Sequence, residues 1–574
     1  NNPHAIYVDG KVILGVGERG SHLVIDPKTG TVEDELPFFK RACTRLTAST
    51  DSFFTRGEGM TRFDRASKKL MIDGAVRPAC NDGVIPAHGL IYLGPWACDC
   101  NLSLIGNVAR CSAGDFSFDR KASNAAQLET VDPEMKVAEL EVSPADWSTW
   151  RGNIQRSGGT EVKVVRAAKV RWHFQPERAF VPTEATTAGG LVFFGADDGK
   201  VRAVDGESGE LRWVFSTAGV IKVPPTIAEG RAYFGSGDGH VYCVEAATGR
   251  LLWRFRAAPT ERHLMIYGTM SSTWPVHTGV LVRDGVAYFG AGIIDHDGTY
   301  VMALDAKSGE IVWENHSSGH LNPDLRKGVS AQGGLTIHDN KLVLAGGNVI
   351  SPAAFDLKTG DCLELARPQG QPQANGGRFI GVFHDTNLIA GGRILYSSPR
   401  NVSTKGSFQV WSGDRKRGLT LNYGGIPPAW NARMLVSANF KYGKVTAFDA
   451  EAIAGRITKG FEDENGSRNR FSRNLVTAMT SRGEERWMSD LGDSAEFEAL
   501  SLAVTPSAII AVARYQDLRR AVPQWFLTAL RPDNGAQMFQ VELPGEPLPG
   551  GLSIDRGGRV LVTLLDGGMV SFGQ

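Results

Sequence analysis

Short runs of alternating apolar and polar residues recur along the chain, separated by glycine-containing turns. Leu191-Val192-Phe193-Phe194-Gly195 leads to Asp197-Asp198-Gly199-Lys200, then Val201-Arg202-Ala203-Val204-Asp205, then Ser208-Gly209-Glu210-Leu211-Arg212-Trp213. The same order returns from Ala232 to Trp253 and from Ala287 to Trp313, with weaker copies around Asp26, Asp356, Asp449 and Asp533. Alternation over about five positions makes a half-buried strand. Asp-Gly supplies the positive φ of a tight hairpin. Asp-x-x-(Ser/Thr)-Gly makes a second turn, and the tryptophan that follows is a large wedge for a neighbouring sheet. One such antiparallel sheet cannot bury both faces by itself, and radial repetition solves that.

The expected fold is therefore all-β: a single β-propeller of four-stranded antiparallel blades, eight by the spacing of the copies, with loop insertions. It is expected to span residues 1–574. Residues 1–112 are read as cysteine-containing early blades, 113–150 as a linker or lid, 151–366 as the clearest repeats, and 367–574 as divergent blades. A solvated insertion with a short helix is expected at 450–473. The tail from Gly551 has no tryptophan, so its sheet should be completed by a strand from elsewhere, which removes an edge.

Composition narrows the function classes. The 574 residues carry 62 basic and 62 acidic side chains, so no global charge favours nucleic acid or an anionic membrane surface. No run reaches the ~18 apolar residues of a membrane span. The 68 glycines exceed the ordinary ~7% while proline does not, as many tight turns require. The opening Asn1-Asn2-Pro3-His4 shows no charged and apolar leader, which fits either a cytoplasmic chain or one numbered after processing.

Trp150-Arg151-Gly152-Asn153-Ile154-Gln155-Arg156-Ser157-Gly158 and the Asp-x-x-(Thr/Ser)-Gly-x-x-x-Trp units resemble the pyrroloquinoline-quinone (PQQ)-type repeat propellers. That group includes quinoprotein alcohol dehydrogenases and outer-membrane assembly lipoproteins. The segments Arg77–Gly83, Pro86–Tyr92, Gly94–Cys100, Ser272–Val276 and Asp295–Thr299 resemble exported PQQ-like propeller proteins of Planctomycetes and related bacteria. The resemblance implies an extracytoplasmic (periplasmic or secreted) location and assigns no reaction. The quinoproteins carry two adjacent cysteines; here the nearest approach is Cys98-Asp99-Cys100, and Cys-x-x-Cys-His is missing. PQQ and c-type haem are therefore not supported as cofactors.

Of the seven cysteines, Cys43, Cys80, Cys98, Cys100 and Cys111 fall early, while Cys243 and Cys362 stand alone on strand-like runs as small hydrophobes. The early five read either as disulfides pinning long loops or as a transition-metal site. In the second reading Cys98 and Cys100 point to one side of an extended segment and His88 adds an imidazole. Reactive thiols are a third reading. His88, on a turn, also joins Tyr92, His277 and Arg393 as candidate acid–base or charge-neutralising residues. Arg77, Trp96, Trp274, Arg378, His384 and Arg400 are candidate ligand-binding residues, because guanidinium forks and aromatic faces suit a carboxylated sugar. Asp295-His296-Asp297 coincides with an ordinary blade turn rather than a calcium loop.

Three functions fit these features, with enzymatic activity left open. The first is an exported propeller that binds or acts on a small or acidic organic or carbohydrate ligand in its central funnel. The second is a quinoprotein-like oxidoreductase with an altered cofactor site. The third is an interaction scaffold that holds protein partners, as the assembly lipoproteins do.

Overall fold

The computed structural model describes residues 4–15, 20–38, 40, 44–57, 59–73, 76, 78, 83–96, 106–111, 121–131, 136–165, 168–266, 269–323, 327–331, 333–346, 350–365, 377–392, 407–415, 418–422, 426–438, 443–463, 474–492, 497–516 and 522–574. Nearly every regular element is a strand in an antiparallel sheet. From residue 186 onward the sheets succeed one another in chain order. We letter them A (186–216), B (226–256), C (281–315), D (335–356), E (379–422), F (429–490), G (497–542) and H (547–573). The outer strand of H is Lys169–Phe174, which pairs with Met569–Gly573. The tail is thus completed from elsewhere in the chain, and the ring has no open end.

Each neighbouring pair of sheets shares an apolar core. A and B meet through Phe193, Trp213 and Phe234; F and G through Val445, Trp487 and Ile509. H packs back on A through Trp172, Phe194 and Leu561. The fold is a β-propeller.

The repeat motif explains how the wedges lock. In sheet A the Asp205 carboxylate accepts the N–H groups of Glu207 and Ser208, each at 2.9 Å, and holds the turn. The tryptophan of one sheet then reaches the corresponding turn of the next. Trp172 donates its indole N–H to Gly206 O, Trp213 to Ala246 O, Trp253 to Ala306 O, Trp313 to Leu357 O and Trp487 to Pro532 O, at 2.9 to 3.2 Å. The turn glycine sits flat on that indole. A Cβ added at Gly209, Gly249, Gly309, Gly360 or Gly535 would fall 2.3 to 2.8 Å from the nearest atom, and all five have positive φ. Glycine is required twice over, by backbone conformation and by space.

Three earlier sheets, spanning residues 5–36, 47–73 and 84–110, lie outside this closure. The second and third pack on the ring where Phe54, Val84 and Leu93 meet Ile293 and Ile294 of sheet C, and the first packs on the second through Ile13, Leu36, Phe53 and Phe63. Arg110 lies 3.5 Å from Asp73 and 3.6 Å from Asp297. The expectation of one propeller from 1 to 574 therefore gives way to a ring starting at residue 169 that carries three further sheets. The strand 169–174 already fills the last edge, so the ring leaves them no place.

The segment between them is more than a linker. Leu128–Thr130 adds a fifth strand to sheet B by pairing with its edge strand at Trp253–Phe255. The chain then passes beneath sheet B, where Glu245 accepts the N–H of Ala138, and runs on to the ring axis. The 450–473 expectation also changes. Ala450–Asp463 is helical, yet Ile453, Ile457 and Phe461 are buried against sheet E, because its apolar residues fall on one face at helical spacing. It completes a core rather than standing in solvent.

Candidate functional site

The site is built from residues just ahead of the inner strands. Glu184 precedes Thr186–Ala188 of sheet A, Lys222 precedes Thr226–Ala228 of B, His277 precedes Leu281–Arg283 of C, and Arg378 precedes Phe379–Phe383 of E. They converge at one end of the ring, the mouth. The Arg378 guanidinium donates to Glu184 Oε2 at 2.8 Å and to Lys222 O at 3.2 Å. Its carbon lies 5.3 Å from the ring centre of Trp150. Arg378 Nε and Trp150 Nε1 are both buried hydrogen-bond donors with no partner among the described residues.

Charge at the mouth is unbalanced. Burial and the Arg378 cation push the Lys222 ammonium below its ordinary range, with Asp197 opposing. Burial also pushes Arg151 down to about 10 and Arg156 to about 9. These two arginines are spent on backbone carbonyls: Arg151 donates to Arg156 O and Pro428 O, and Arg156 to Leu335 O and Trp150 O. Both remain cations in a low-dielectric interior; Glu184 is the carboxylate that acts on Arg151 and pairs with Arg378, and Asp197 the one that acts on Lys222. Such a field favours an anion. Burial, followed by Lys222, pushes the His277 imidazole down to about 3, so it is neutral at physiological pH.

The far end of the ring is crossed by an axial segment, with a pocket left between it and Thr226 of sheet B and Val282 of sheet C. The axial segment Asp146–Gly158 gives carbonyls to the inner strands of A (Trp147 O from Thr187 N), B (Ser148 O from Ile227 N), E (Gln155 O from Val382 N), F (Ser157 O from Trp430 N) and G (Gly158 O from Val504 N). Ile154 O accepts from Thr336 Oγ1 of D, and Arg556 of H binds Asp146. Trp150 points its six-membered ring at Gly334, where a Cβ would fall 2.2 Å away. A loop normally leaves its polar backbone to water; this one is satisfied by the sheets it crosses.

Of the residues chosen from sequence, Arg378 and His277 come to the mouth. His277 is 1% exposed and packs behind it against Gly237. Trp274 is fully buried and donates to Asp297 O at 2.7 Å. His384 follows the same strand that Arg378 precedes, so five residues at about 3.3 Å each put it at the opposite face of the ring; there it pairs with Glu451 at 3.1 Å. His88 occupies the exposed hairpin turn of the third early sheet, with φ of 50°, and Tyr92 lies on that sheet's outward face opposite Ile85. Trp96 ends the strand Leu90–Trp96. Arg77, Cys43, Cys80, Cys98, Cys100, Arg393 and Arg400 lie outside the described residues. Cys111, Cys243 and Cys362 are free thiols, Cys243 fully buried. Asp295–Asp297 forms a turn in which Asp295 accepts the N–H of Gly328.

Sequence reading missed Glu184, Lys222 and the two axial arginines. Glu184 and Lys222 each sit beside a Val-Pro step just upstream of a strand, Val181-Pro182 and Val223-Pro224. Aligning the repeats on that step would have marked the mouth.

The architecture is that of a β-propeller. More particularly, residues 158–418 match the family model PQQ_2, described as outer membrane protein assembly factor BamB. Comparison with curated proteins finds no match. Among solved structures, the chain is similar to a europium-containing methanol dehydrogenase (12% identity, 75% of this chain, 98% of that one, TM-score 0.49). It is also similar to quinohemoprotein alcohol dehydrogenase from Comamonas testosteroni (12%, 75% and 81%, TM-score 0.48) and to BamB from Moraxella catarrhalis (13%, 78% and 96%, TM-score 0.36). No helix among the described residues is long and apolar enough to cross a membrane.

Proposed function

We propose that the chain is an extracytoplasmic propeller that binds a small carboxylated ligand, of the acidic-carbohydrate kind, in the mouth of its ring. The observation that carries this reading is the gathering of Arg378, Arg151 and Lys222 about Glu184 and Asp197, three cations to two carboxylates. Arg378 keeps a buried N–H unused after pairing with that carboxylate, and Lys222 stands beside it. A second carboxylate, brought by a ligand, would take up that donor and neutralise Lys222, and a charge-assisted bond in a desolvated site is a strong one. The Arg378 side chain is 28% exposed, so an incoming group can reach the outer part of the guanidinium, while Nε is buried and opens to a ligand only as the side chain shifts.

PQQ and c-type haem stay outside this reading, and no quinone step enters it. A scaffold role has one specific support, the match of residues 158–418 to the assembly-factor family. Outer strands with exposed Leu211, Val214, Val312 and Met488 would serve it.

Calorimetric titration with D-galacturonate against D-galactose tests the first reading. The acid should bind and the neutral sugar should not; Lys222→Met should weaken the acid by about tenfold or more. Equal binding of both sugars, or of neither, overturns it.

A further inference from the structure

We infer that the mouth takes its ligand by a chain end and that the ring is a blind cup, not a channel through which a polymer threads. The inference rests on the carboxylate-binding reading above, and it concerns which acidic ligands can enter.

Two observations carry it. First, the axial segment is tied by backbone or side-chain hydrogen bonds to the inner strands of A, B, D, E, F and G, and by Arg556 to H. The buried Trp147 and Trp150, 3% and 4% exposed, stand in it, and Arg156 fastens it to Leu335 O at 2.9 Å. No polymer passes a floor held at that many points without unfolding it. Second, the Arg378–Glu184 pair crosses the opening directly above Trp150. A chain lying across the mouth would have to lower an internal residue past that bridge while both flanking residues stay outside. A terminal residue has one neighbour and can descend alone. The unpartnered donors, Arg378 Nε and Trp150 Nε1, are buried at this depth, where only a terminal carboxylated residue arrives.

The test compares D-galacturonate, a short oligogalacturonate and long polygalacturonate on the unmodified protein, by calorimetry for affinity and by sedimentation for the number of protein molecules carried per polymer. End recognition predicts binding of the monomer, and at most two proteins per chain, one for each end, whatever its length. Protein loading that rises in proportion to chain length overturns the blind-cup inference while leaving the carboxylate site standing. Failure of the monomer and of both polymers removes the carboxylate reading itself.

Discussion

Arg378 and Glu184 form a 2.8 Å ion pair although they belong to sheets E and A, which have three other sheets between them in either direction around the ring. The long arginine side chain therefore spans the opening, and the pair fixes opposite walls of the propeller to each other. Removing one partner strands the other charge in a poorly solvated place. Arg378→Gln should cost about 1–3 kcal/mol in denaturant unfolding, and the double change with Glu184→Gln should recover part of that loss. A double variant less stable than the sum of the singles would show that the pair is not the stabilising unit.

His277 makes stability depend on pH. Its folded pKa of about 3 lies below the ordinary value near 6.5. Above that value both folded and unfolded chains hold a neutral imidazole and no penalty exists. As pH falls below it the unfolded chain takes up a proton that the folded one refuses, so stability is lost towards pH 3. The expected slope from this group is up to about 1.4 kcal/mol per pH unit. His277→Gln should flatten the profile between pH 6 and 4, and an unchanged slope would refute the assignment.

The glycine–tryptophan contacts predict unequal costs for one substitution. At Gly249, φ is 75° and a Cβ would lie 2.6 Å from Trp213; at Gly30, φ is 73° and nothing lies within 4 Å. Gly30→Ala should cost only the left-handed backbone term, about 1 kcal/mol. Gly249→Ala should cost at least about 1 kcal/mol more, because the indole must move from Ala246 O. Thermal unfolding of the pair decides it.

Two arginines with similar numbers of hydrogen bonds should behave differently. Arg254 holds Glu129 bidentately on the surface strap, where the carboxylate side chain is 62% exposed. Glu129→Ala should change stability by less than about 1 kcal/mol. Arg156 is buried on the axis and serves Leu335 O, Trp150 O and Thr149 Oγ1. Arg156→Met should cost about 2–4 kcal/mol and should expose the axial segment to limited proteolysis before the ring unfolds.

The repeat was legible because each unit is local. Alternation, Asp-Gly turns and the tryptophan wedge all act within some thirty residues, so the Asp205 turn and the reach of Trp213 could be read from spacing. The site was less so. Arg378 was picked for its chemistry; its partner Glu184 lies 194 positions away and looks like any surface glutamate in sequence. His384, chosen together with Arg378, is carried to the other face by the strand between them. His277 was chosen as a titrating base, and burial beside Lys222 holds it neutral.

By itself the sequence determined that the protein would be built of small antiparallel sheets locked by tryptophan and glycine, since those preferences are set by backbone conformation and side-chain volume within each unit. Tertiary structure alone decided where the ring begins, that residues 146–158 cross its axis, and which distant charges meet at its mouth. Those outcomes depend on closure of the ring, which juxtaposes strand ends that no local pattern relates.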